Sequence, residues 1–118
     1  MSTVTTRAEY PAIDPRLLRS CLGRFATGVA VIVFDAVGDD GWEVRRGLTV
    51  NSFTSVSMNP PLVLVSLQRT LRSHDLLRGR PFSINILGAE QRDVAMHFAG
   101  RPGEPRVVPR WVPGEVAP

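Results

Sequence analysis

Between Asn51 and Ser57 five of seven side chains are small and polar: Asn51, Ser52, Thr54, Ser55 and Ser57, broken only by Phe53 and Val56. Hydroxyls, an amide and the backbone N–H groups beside them can hold a phosphate or another oxygen-rich group without a large charge. The alternative is a serine-rich turn whose hydroxyls satisfy their own backbone. Apolar runs flank the segment within Gly47–Ser66, and Pro60-Pro61 separates it from the second of them. Elsewhere the chain offers little that could do chemistry unaided. His74 and His97 are the only histidines and Cys21 the only cysteine, with no spacing suited to the three or four donors of a zinc site. Ser73-His74-Asp75 is contiguous, so it cannot fold into a nucleophile–base–acid triad, and no Gly-x-Ser-x-Gly elbow is present. The expectation is therefore no catalytic side chain and no metal, but a site that binds a group bringing its own reactivity. A flavin meets that description, because the protein need only position the ring and exclude water.

The elements that must position such a site follow from pattern. Asp14-Pro15 reads as a helix start, a capping carboxylate followed by proline at the first helical position. Leu17, Leu18, Cys21, Leu22 and Phe25 then share one face of an amphipathic helix of about three turns, with Cys21 as a small core residue. Val29 to Phe34 is a β-branched run that reads as a strand buried on both faces. Gly38-Asp-Asp-Gly41 supplies turn chemistry, and Trp42, Val44, Leu48 and Val50 recur at even spacing beyond it, so a hairpin is expected. Asn59-Pro60-Pro61 forces an extended turn, and Leu62–Leu67 reads as a third, buried strand. A short helix capped by Ser73 with Leu76 and Leu77 inward, an alternating strand Phe82–Leu87 and a second amphipathic helix Gln91–Phe98 complete the pattern. Arg101–Pro105 is a loop, and Val107, Val108, Trp111 and Val112 are the apolar anchors after it. The order favours a mainly β, largely antiparallel sheet or barrel with flanking helices.

The 118 residues and 43% hydrophobic content fit one domain. Residues 1–13, polar and aperiodic, read as a flexible arm, and 14–118 as the domain. All 14 basic residues are arginine, giving a net charge of +3. They are scattered, with Arg45-Arg46 the single adjacent pair and no aromatics alternating among them, which argues against a nucleic-acid partner. A single cysteine is consistent with a reducing cytoplasm. The longest apolar run, Val29–Phe34, is too short to span a bilayer.

Three stretches in this order resemble the flavin reductase-like proteins, the reductase components of two-component flavin monooxygenases. They are Phe25–Val33, Gly47–Ser66, and Phe82–Leu87 followed by Gln91 and Ala95–Ala99. The resemblance covers roughly residues 14–100. It implies an antiparallel Greek-key split β-barrel that binds FMN or FAD, takes a hydride from NADH or NADPH, and passes reduced flavin to a separate monooxygenase from a homodimeric, cytoplasmic reductase. It places Thr27, Gly28 and Val29 along the isoalloxazine ring and Thr49, Val50, Asn51 and Ser52 at its polar edge. Ser55 and Ser57 support the ribityl chain or brace the loop, while Ser66, Arg72 and Ser73 meet the phosphate. Relatives run on into strands that complete the barrel and carry a Gly-Asp-His segment associated with nicotinamide binding. This chain reaches Pro118 without them, so it reads as C-terminally truncated, and a flavin-binding module without turnover is the alternative function.

Overall fold

A computed structural model describes residues 9–100 and 107–113. The first eight residues of the expected arm and the Arg101–Pro105 loop lie outside them. The architecture is mainly β with flanking helices, as the patterning predicts. Eight elements organise it: α1 (Pro15–Leu22), β1 (Ala30–Val37), β2 (Glu43–Val50), β3 (Thr54–Met58), β4 (Pro61–Leu64), α2 (Arg72–Leu77), β5 (Ser83–Ile86) and α3 (Arg92–Ala99), the last entered through a 3-10 turn at Ala89–Gln91.

The strands form two open antiparallel sheets, β2-β1-β5 and β3-β4. β1 is the centre of the first sheet because its β-branched and small residues can be covered on both faces. In the β1–β2 register Ala30 lies opposite Val50, Ile32 opposite Leu48 and Phe34 opposite Arg46; β5 sets Ile86 against Ala30 and Ile84 against Ile32. On this face Ala30, Ile32 and Val50 form a core completed by Leu48, Val65, Leu67, Leu77 and Ile84. Alternation sends Val31, Thr49, Gly47 and Arg45 to the opposite face. There α3 and Trp111 provide the cover: the Thr49 hydroxyl donates to the Ala95 carbonyl at 2.6 Å, the Phe98 ring lies against Gly47, and Arg45 stacks on Trp111 with 5.4 Å from its guanidinium carbon to the ring centroid. Arg45 also grips Asp35 through two hydrogen bonds of 2.9 and 3.1 Å.

Several expectations change. Asp14 caps α1 as predicted, accepting from the Arg16 N–H at 2.8 Å, but the helix has 8 residues, nearer two turns than three. Its apolar face is uncovered: Leu17, Leu18, Leu22 and Phe25 are exposed, and so is Cys21, which is therefore not a core residue. Amphipathicity marks a face suited to burial, and no element among the described residues covers this one. The even-spaced residues of the hairpin divide likewise: Val50 is buried and Leu48 half-buried, whereas Trp42 and Val44 are exposed. The hydroxyl-rich segment is itself a strand, β3, so five strands are present among the described residues where four were expected. The strand after the prolines ends at Leu64, and Leu62, Val63 and Leu64 are exposed, because β3 and β4 pair only with each other. Leu71, not Ser73, occupies the N-cap of α2, with no side-chain cap bond. The Cα radius of gyration is 18.5 Å, well above the ~13 Å of a compact domain near this length, consistent with the apolar surface left on α1 and on β3-β4. No helix among the described residues is long and apolar enough to cross a membrane.

Candidate functional site

β1 and β2 meet at the Ala30–Val50 end, and the segments that enter and leave them there run side by side. Phe25–Val29 arrives from α1 without regular structure, and Asn51–Phe53 departs toward β3. Between them lies a hollow of about 440 Å³, lined by residues 25–30, residues 51–54 and Ile86. A second hollow of about 660 Å³ under α1 shares Phe25, Ala26, Thr27 and Asn51 with it and adds Leu18 and Leu22. None of the eleven residues lining the first hollow carries an ionisable side chain. Phe25, Val29, Phe53 and Ile86 offer apolar surface, and Thr27, Asn51, Ser52 and Thr54 offer donors and acceptors. Nothing lies within 4 Å of where a side chain on Gly28 would begin, so the backbone there is open to a flat ligand. The wall is braced from behind: the Ser66 N–H donates to the Ser52 hydroxyl at 3.0 Å, and that hydroxyl donates to the Ser66 carbonyl at 3.2 Å.

The expected site residues separate into groups. Thr27, Gly28, Val29, Asn51 and Ser52 come together around the hollow. Val50 is buried beneath it at the end of β2. Thr49 points to the opposite face, its hydroxyl committed to Ala95. Ser55 and Ser57 flank a bulge in β3, pairing with Val63 and Leu62. Ser66 meets Ser52 through its backbone, and Ser73, half-buried, sits in the first turn of α2. Arg72 is ion-paired with Asp39 at the tip of the β1–β2 hairpin, the far end of β1 from the hollow; β1 alone rises about 23 Å between Ala30 and Val37. Sequence reasoning did not name Phe25, Ala26, Phe53 or Ile86 as ligand contacts, and gave Thr54 only as one of the polar side chains of its segment. The period-2 pattern of β5 could have flagged Ile86, since it falls one step past Ile84 on the same face, where the core runs out.

The ionisable groups with shifted titration lie elsewhere. The hydrogen bonds from Arg45 hold the Asp35 carboxyl below its ordinary value of 3.8 despite some desolvation, and Arg72 does the same for Asp39. His74 lies 3.1 Å from the Asp75 carboxylate. His97 packs edge-on to Phe98 with 4.7 Å between centroids, and neither histidine lines the hollow. The hollow thus has the makings of a binding surface with no proton-transfer group of its own.

The flavin reductase-like domain model matches residues 22–116. An NADH-dependent flavin reductase of a Rhodococcus species is 41% identical over 104 residues, covering 87% of this chain and 58% of that protein. The reductase component of a flavin-dependent trigonelline monooxygenase from Acinetobacter baylyi is 45% identical over 101 residues, 84% of this chain and 31% of its own length. Among solved structures, flavin reductase PheA2 superposes with a TM-score of 0.71 at 37% identity, over 86% of this chain and 64% of that one. The chain spans little more than half the length of the Rhodococcus relative and less than a third of the Acinetobacter one. With the model matched over most of its residues and all three likenesses running through the strands that frame the hollow, the chain belongs to the flavin reductase-like domain family.

Proposed function

We propose that this chain carries the flavin site of an NAD(P)H-dependent flavin reductase that reduces FMN or FAD and supplies it to a separate monooxygenase. The observation that carries the reading is a hollow with apolar walls and a polar rim but no ionisable side chain, in a chain of this family. A flavin held among residues 25–30 and 51–54 would supply the redox chemistry, with NADH or NADPH as the hydride donor. The protein's part is then to bind, orient and exclude water. Gly28 gives a flat approach, Val29 and Phe53 cover apolar ring, and Thr27, Asn51 and Thr54 meet polar edges. In this reading residues 14–118 belong to a split barrel that a second copy of the chain helps to cover, which accounts for the uncovered apolar faces of α1 and of β3-β4.

The test is NADH consumption by the 118-residue chain with added FMN or FAD, with the flavin spectrum recorded in the same cuvette. Oxidation that depends on free flavin is the expected result. A perturbed flavin spectrum without turnover reduces the function to binding, and no perturbation with either flavin overturns the reading.

A further inference from the structure

We infer that Ser52 is a positioning residue: its hydroxyl fixes the Asn51–Thr54 wall of the hollow by standing in for a strand partner of Ser66. The inference rests on the flavin-site reading above. β2 ends at Val50 and β3 begins at Thr54, so the three residues between them have no ladder to hold them. β4 ends at Leu64, and the chain continues through Val65 and Leu67, both packed on the core of the first sheet. Ser66, between them, faces away from that core, and its N–H and C=O would otherwise be left to solvent. The Ser52 hydroxyl takes both: it accepts from the N–H at 3.0 Å and donates to the C=O at 3.2 Å. One side chain therefore closes the ring that a backbone pair would close in a sheet. The bracket joins the two sheets at the point where the wall crosses from one to the other. Ser52 lines the hollow while its hydroxyl hydrogen is committed to the Ser66 carbonyl.

This differs from a role in which Ser52 and Ser66 each present a hydroxyl to the ligand, because Ser66 enters the bracket through its backbone alone. The two roles separate in two variants of the full chain, each followed by flavin titration and by amide hydrogen exchange without flavin. Ser52→Ala is expected to speed exchange at the Ser66 amide and to weaken flavin binding, each by about fivefold, the scale of one net hydrogen bond, while the melting curve stays cooperative. Ser52→Thr, which keeps a hydroxyl, is expected to restore most of both. The inference is overturned if Ser52→Ala leaves the Ser66 amide protected or flavin affinity unchanged. It is also overturned if Ser52→Thr recovers flavin affinity without recovering protection of the Ser66 amide, which would place the hydroxyl on the ligand. A wild-type chain that binds neither flavin fails earlier, at the control, and removes the flavin-site reading together with this one.

Discussion

Replacing Gly47 by alanine tests the packing of α3 on the sheet, because here two opposed effects can be weighed. Gly47 is in β2 without a left-handed backbone, so alanine can adopt its conformation. Taken alone, the exchange should stabilise by about 0.5–1 kcal/mol through lost freedom of the unfolded chain. The new Cβ, however, would sit 2.9 Å from Phe98 Cγ and closer still to Cδ1 and Cε1, where carbon atoms prefer roughly 3.5–4.0 Å. The ring would have to withdraw by about 1 Å, and it is held between His97 and Trp111, whose centroids lie 4.7 and 6.1 Å away. Forcing a methyl group into such a contact costs about 1–3 kcal/mol. The steric effect wins, leaving a net loss of about 1–2 kcal/mol, or roughly 4–8 °C in midpoint. Thermal unfolding followed by circular dichroism, with urea titration alongside, reads the change. In a Phe98→Leu background, where the ring edge is gone, the same glycine exchange should lose at least half its cost. A Gly47→Ala chain that melts at or above wild type refutes the argument, and so does an undiminished cost in the Phe98→Leu background.

Gly28→Ala should leave stability unchanged or slightly raised, because nothing lies within 4 Å of the added carbon, yet weaken flavin binding roughly tenfold; parallel melting and titration check it. Ile32→Ala, at a site 1% exposed, should cost about 2–5 kcal/mol, read by denaturant unfolding. The depressed Asp35 carboxyl adds stability that is fully present above its ordinary value of 3.8 and is lost as pH falls through the lower folded value. Asp35→Asn should therefore be less stable than wild type near neutrality, with the gap closing in acid, as melting curves across pH would show.

The local parts of the fold are readable in the sequence because their causes are local. A carboxylate before a proline fixes the start of α1, and the β-branched run with Gly38-Asp-Asp-Gly41 after it fixes the hairpin. β3 escapes notice because its hydroxyls resemble a turn and only pairing with β4, across the prolines, makes it a strand. The outward placement of Cys21 and Leu62 escapes for a related reason: an apolar residue states a preference for burial, but what reaches it is decided by distant segments. The hollow shows the same division. Thr27–Val29 and Asn51–Ser52 could be named from motif, whereas the pairings of Ser52 with Ser66, Thr49 with Ala95 and Arg72 with Asp39 span 14, 46 and 33 residues.

The position of Arg72 at the hairpin tip changes what its charge is for. Both faces of β1 between that tip and the hollow are already packed, by the core on one side and by α3 and Trp111 on the other, and Arg72 is absent from the hollow's lining. Its guanidinium is spent on Asp39, so a charge that sequence alone would lend to a phosphate serves instead as a clasp between α2 and the hairpin.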